Sequence, residues 1–120
     1  MTVVPALADL RLRFARSLEQ LNHGDFEEML TRYADDVTVL IASPQCGDPV
    51  RETMFYGRSG FLDCLFRYVA TLSPLRVVDV LPDGPNGVVA TISCRGGRTM
   101  TYEVEFNRSE LGSRVRISLT

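Results

Sequence analysis

From residue 88 onward, apolar residues fall on every second position, a period that suits a β-strand and that no helix can turn to one side. Met100, Tyr102, Val104 and Phe106 point one way, while Thr99, Thr101, Glu103, Glu105 and Asn107 point the other. Val115, Ile117 and Leu119 oppose Arg114, Arg116 and Ser118 in the same manner. Val88, Ala90, Ile92 and Cys94 join the apolar face, leaving Val89, Thr91 and Ser93 on the other. The predicted strands cover 75–81, 88–94, 99–108 and 114–120. Turn chemistry separates them: Pro82-Asp83-Gly84-Pro85-Asn86-Gly87, then Gly96-Gly97, then 109–113. Connections this short specify an antiparallel meander. Its apolar face needs a cover, and its other face carries Glu and Arg. Two uses fit that polar face: a solvated surface laced by cross-strand pairs, each worth about a few tenths of a kcal/mol, or a sheet-to-sheet dimer contact.

The first third of the chain supplies the cover. Leu7, Leu10, Phe14, Leu18 and Leu21 recur at steps of three and four, one stripe of a helix. Pro5 suits its first turn and Asn22-His23-Gly24 its end. Asp25 opens a second helix, with Glu28 at capping-box spacing and Phe26, Met29, Leu30 and Tyr33 on its apolar side. The period then changes to two, and Val37, Val39 and Ile41 predict a strand over 36–42. Residues 43–50, SPQCGDPV, read as a loop, and 52–56 as a short return strand broken by Gly57. Ser59 is placed to cap a third helix carrying Phe61, Leu62, Leu65, Phe66, Val69 and Leu72, ended by Ser73-Pro74. The order is two helices, a hairpin, a third helix and a four-stranded meander, an α+β fold. With no repeat or linker, its 120 residues read as a single domain, 1–120.

Composition narrows the chemistry by exclusion. All thirteen basic residues are Arg, so neither a Schiff base nor a P-loop lysine is available. The single His rules out a three-His metal site. Cys46, Cys64 and Cys94 lack C-x-x-C spacing and leave an odd thiol, which favours a reducing, cytoplasmic setting. A net charge of −2 gives no footprint for nucleic acid or an anionic membrane. No apolar run approaches the roughly 18 residues of a membrane span. The opening MTVVPALADLRLRF breaks into charge at Asp9 and does not read as a signal peptide. No metal or organic cofactor is implied.

Several segments together resemble a known family. They are Gly24-Asp25-Phe26-Glu27-Glu28-Met29-Leu30, Tyr33-Ala34-Asp35-Asp36-Val37-Thr38-Val39, and Gly57-Arg58-Ser59-Gly60-Phe61 leading into the third helix. In this order, ahead of a strand meander, they resemble the nuclear transport factor 2-like superfamily, which holds the SnoaL-like cyclases and ketosteroid isomerase. The resemblance implies a cystatin-like cone, α-α-β-β-α-β-β-β-β. Three helices close on a curved antiparallel sheet around an apolar pocket, and the open sheet face dimerises. Transferring the isomerase roles implied by the resemblance puts the base on Ile41 and the oxyanion Tyr on Ser17. The neutral acid belongs among the inward positions Met100, Tyr102, Val104 and Phe106, none of which is acidic. Glu103 and Glu105 are turned outward by the alternation, and the inward acid of the cyclases meets the same objection. The Asp–Arg–Asp group of the limonene epoxide hydrolase branch has no evident counterpart.

The expected pocket is lined by Phe14, Ser17, Ile41, Phe66, Met100, Tyr102, Val104 and Ile117. Tyr102 is the candidate donor to a ligand carbonyl, or else bonds the backbone. Asp63, near the start of the third helix, is a candidate base if it turns inward. Tyr33 reads as packing, Asp35 and Asp36 as turn carboxylates, and His23 as a solvent-facing helix end. Cys64 and Cys94 read as core fillers, with Cys46 in a loop near the pocket mouth. Arg51 and Arg58 are surface cations that an acidic ligand would meet. The expected function is binding of a small, mainly apolar, carbonyl- or phenol-bearing molecule. Isomerase or cyclase chemistry on a steroid- or polyketide-like substrate stays open. The alternative is a non-catalytic dimeric interaction or sensor module with a filled cone. Volume separates the two, since small-molecule pockets run to about 300 Å³ or more.

Overall fold

The computed structural model describes residues 7–45 and 48–119. Pro5 and Cys46 fall outside the described residues, as do the side chains of Leu7 and Leu10. The elements follow the expected order: α1 (Leu7–Asn22), α2 (Phe26–Leu30), β1 (Tyr33–Gln45), β2 (Asp48–Tyr56), α3 (Gly57–Cys64), β3 (Arg76–Asp83), β4 (Gly87–Ser93), β5 (Thr99–Phe106) and β6 (Gly112–Leu119).

Helix α1 buries the stripe Phe14, Ser17, Leu18 and Leu21. Gly24, at φ 79°, ends it: its amide donates to the Leu21 carbonyl at 3.1 Å, and the Asp25 amide reaches Gln20 at 2.8 Å. These two bonds satisfy the carbonyls that a helix end leaves open. The predicted capping box does not form. The tight turn holds Asp25 at φ −90°, ψ 63°, outside the extended conformation that suits a cap, and its side chain bonds nothing there.

The third helix also starts differently from its sequence expectation. Tyr56, in extended conformation, stands at the N-cap, and Ser59 lies inside the first turn. After Cys64 the helix widens into one π turn, Leu65–Val69, and closes with a 3-10 turn, Ala70–Leu72. Phe61, Cys64, Leu65 and Val69 are buried, but Phe66 is carried round to the outside and is 56% exposed. There its ring meets Phe26 edge-on, 4.6 Å between centroids.

The sheet is six-stranded, curved and unclosed, in the order β2-β1-β6-β5-β4-β3. The last four strands form the expected meander. One pair differs from the antiparallel rule: β1 runs parallel to β6, so the sheet is mixed. Register carries buried rows across it. Ala90 faces Tyr102, Tyr102 faces Ile117, and Ile117 faces Ile41. The helices cover this side, α1 over β3 and α3 over β1.

The outer face carries the expected charge ladder, with Arg114–Glu105 at 3.8 Å, Arg116–Glu103 at 4.0 Å and Arg116–Glu52 at 3.5 Å. Met54, Tyr56 and Leu81 are also exposed there.

Gly112 sits opposite Tyr33 in the β1–β6 pair. A Cβ at Gly112 would lie 2.5 Å from Tyr33 Cδ1 and 2.7 Å from Cε1. Gly112→Ala must therefore displace a buried ring, and a cost of about 1–3 kcal/mol is expected. Urea unfolding measures it, and an unchanged midpoint would refute this strand register.

Candidate functional site

Two phenols meet inside the cone. Tyr33 enters from the first residue of β1 and Tyr102 from the middle of β5, and their hydroxyl oxygens lie 2.6 Å apart. Tyr33 packs edge-on against Phe61 at 4.8 Å, and Tyr102 against Phe14 at 5.9 Å. One hydroxyl donates to the other, which leaves the pair one O–H with no further acceptor among the described residues. Burial pushes Tyr33 up to about 12, against the opposing pulls of the Tyr102 hydrogen bond and the Arg32 guanidinium. Burial also raises Tyr102 well above the ordinary phenol value, and the neighbouring Tyr33 adds to it. Both phenols are neutral hydrogen-bond donors, not bases.

A narrow throat leads towards this pair. It has a volume of about 40 Å³ and is walled by Arg13, Phe14, Ser17, Arg32, Tyr33, Val104, Phe106 and Glu110. Deeper in, Leu18, Leu21, Met29, Val69, Ile92, Met100 and Tyr102 close around a remnant of about 10 Å³. That is about the room of one water. Both spaces fall far below about 300 Å³, so among the described residues the open pocket expected inside the cone is absent: the interior is filled by its own side chains, as the alternative reading expected.

Phe14, Ser17, Met100, Tyr102 and Val104 thus come together around the throat and its inner end. Ile41 and Ile117 are buried but sit in the packed core, bordering neither space, and Phe66 lies outside. Asp63 faces solvent and pairs with Arg67 one turn on, at 3.0 Å, so it offers no inward base. Glu103 and Glu105 remain in the outer ladder. His23 is exposed, its Nδ1 donating to the Glu19 carbonyl at 2.7 Å. Asp35 pairs with Arg58 at 2.9 Å, while Asp36 and Arg51 are exposed. Arg58 also donates to the Tyr33 carbonyl from Nε at 2.9 Å and Nη2 at 2.6 Å, anchoring the start of β1. Cys64 and Cys94 are free and buried, and burial with Asp63 alongside pushes the Cys64 thiol up to about 12. Among the described residues, Ser17 is the one buried polar side chain besides the phenols and thiols. No three His, Cys, Asp or Glu side chains among them gather to hold a metal.

Sequence reasoning missed Arg32. Its Nη1 donates to Ser17 Oγ at 3.1 Å and to Gln20 Oε1 at 2.8 Å, which holds the guanidinium at the throat. Arg32 lies in the turn before β1, where no period assigns a face, so nothing in the sequence marked it.

No family model matches the chain, and no curated protein matches it in sequence. Solved structures match its shape. A SnoaL-like protein of unknown function from Burkholderia thailandensis aligns over 100% of this chain and 99% of its own, at 16% identity and TM-score 0.70. The chain has the SnoaL-like fold. A candidate ketosteroid isomerase from Kribbella flavida shares the fold at 23% identity and TM-score 0.62, over 92% of this chain and 76% of that one. A Mycobacterium tuberculosis protein solved in complex with estradiol-17β-hemisuccinate does so at 16% identity and TM-score 0.63, over 88% and 89%. Within this fold the described residues of the chain place phenols and a serine inside, and no carboxylate.

Tyr33→Phe or Tyr102→Phe leaves a buried hydroxyl without its partner, and each is expected to cost about 1–3 kcal/mol. The double variant should cost less than the sum, since one interaction is lost only once. The folded pKa of Tyr33, about 12, stands above the ordinary 10.0. Its stabilising contribution is therefore whole below pH 10 and is lost as pH rises towards 12. Denaturant midpoints across that window should fall more steeply in the wild type than in the double variant; equal slopes would sink the assignment.

Proposed function

We propose that the chain binds a small, mainly apolar molecule at the mouth of the cone, through a carbonyl or phenol that reaches the tyrosine pair, without moving a proton on it. The observation that carries this is the unclaimed O–H of the Tyr33–Tyr102 pair at the inner end of a throat that Phe14, Val104 and Phe106 line with apolar surface below a polar rim. A buried neutral phenol polarises a carbonyl that it donates to. Without an inward carboxylate among the described residues, it has no base to work with. The throat's size means that one end of the ligand enters while the rest lies across the mouth. The steroid ester held by a neighbour of the same fold supports a ligand of this character. Two free buried thiols support a reducing, cytoplasmic setting.

Thermal unfolding against steroid-like, polycyclic phenolic and terpenoid carbonyl compounds tests this. A ligand at a hundred times its Kd adds about 2.7 kcal/mol, which raises Tm by roughly 10 °C for a domain of this size. A hit should lose its preference over the deoxy analogue in Tyr102→Phe. Silence across the panel from the folded protein would overturn the proposal.

A second reading, a homodimer through the outer sheet face, draws on Met54, Tyr56 and Leu81, exposed by 43%, 69% and 52% beside the Glu–Arg ladder. Sedimentation velocity should then show a dimer that Met54→Glu converts to folded monomer. A monomer in the wild type at tens of micromolar would remove this reading.

A further inference from the structure

We propose that the ligand is an amphipathic carboxylate, its anionic end held by Arg13, Arg16 and Arg32 in the groove that borders the throat. This rests on the binding role proposed for the mouth and names the class of molecule it takes. The groove has a volume of about 360 Å³ and is lined by Asp9, Leu12, Arg13, Arg16 and Arg32. Arg13 and Arg32 line the throat as well, so the two spaces share a wall.

Four arginines of the described residues stand in ion pairs, and those of this wall are among the rest, set apart by the way Arg32 is held. Arg58, Arg67, Arg114 and Arg116 each pair with a carboxylate. Arg13, Arg16 and Arg32 have no ion pair among the described residues. Arg32 is half-buried, and both hydrogens of its Nη1 go to neutral acceptors, Ser17 Oγ and Gln20 Oε1. Those bonds orient the guanidinium without neutralising it. The remaining hydrogens, on Nε and Nη2, have no acceptor among the described residues, and that edge of the planar fork suits a carboxylate.

The acidic side chains bordering groove and throat are Asp9 and Glu110, neither ion-paired to these arginines. Three guanidinium groups against two carboxylates leave a local excess of one positive charge, in a chain whose net charge is −2. A monoanion matches that excess. Leu12, 70% exposed in the groove, and Phe14 and Phe106 in the throat give the apolar part of the ligand a continuous track inward.

Calorimetric titration of the full chain with phenylacetate and with decanoate, each against its methyl ester, tests the assignment. The acid should bind at least about tenfold tighter than its ester, the scale of a charge-assisted contact. Raising the salt should shrink that advantage. Arg13→Gln and Arg16→Gln, exposed changes that leave the fold intact, should each reduce it several-fold, and Arg32→Gln should abolish it. Arg67→Gln, on α3's exposed pair, should leave it unchanged. Esters that bind as well as the acids would overturn the carboxylate assignment and leave the apolar binding site standing. No binding of either member to the wild type would overturn the carboxylate assignment, while the binding role at the mouth stands or falls on the thermal-unfolding panel.

Discussion

Strand β1 belongs to the N-terminal hairpin and β6 ends the C-terminal meander, and only their parallel pairing makes one sheet of the two pieces. A two-stranded hairpin is marginal in water by itself. Joined to β6, β1 continues the buried rows of the meander, Val39 beside Val115 and Ile41 beside Ile117. Only then do α1 and α3, which lie over opposite ends of the sheet, close on a common core. Parallel neighbours cannot be linked by a tight turn. Here almost the whole chain serves as the connection, and the helices it contains form the cover.

The same pairing builds the site. It sets Tyr33 opposite Gly112, where the missing side chain leaves space for the phenol ring. The Gly112 amide donates to the Arg32 carbonyl at 3.0 Å, so the residue whose side chain guards the throat is tied to the strand that clears room for its neighbour. Arg58 holds the Tyr33 carbonyl from the other side. Burying a phenol without a partner costs free energy that apolar packing must offset. Bringing Tyr33 to Tyr102 meets that need for two phenols with one bond and still leaves a donor.

Much of this was legible in the sequence because it is local. Alternation assigns the faces of β4, β5 and β6 without reference to anything distant, so Met100, Tyr102 and Val104 were placed inward and Glu103 and Glu105 outward, as observed. The stripe of α1 put Phe14 beside them, and the family resemblance, not the stripe, pointed to Ser17. What failed to show depends on longer reach or on a change of period. A π turn advances the chain more residues per turn than an α-helix, and one such turn after Cys64 swings Phe66 from the expected lining to the outside. Ile41 and Ile117 face inward as expected, yet whether an inward residue borders a cavity depends on what packs over it. The unfilled volume is set jointly by Leu21, Met29, Val69, Ile92 and Met100, which come from five different elements. No window of sequence holds that sum.

Filling the cone has a consequence for where polar chemistry can sit. An unpaired guanidinium among Met100, Ile92 and Val69 would face a desolvation penalty of several kcal/mol, and a carboxylate likewise. At the rim, water solvates the cation at little cost until a ligand replaces it. The arginines of the groove and the phenols of the interior are therefore complementary solutions within one fold. Neutral donors lie where water is excluded, and charge lies where water can still reach. Shape alone does not choose between a roomy cone and a packed one. The choice was made here by apolar side chains that stabilise the core, and under the proposed binding role it moves recognition outward, to the stretch of wall where Arg13 and Arg32 belong to both throat and groove.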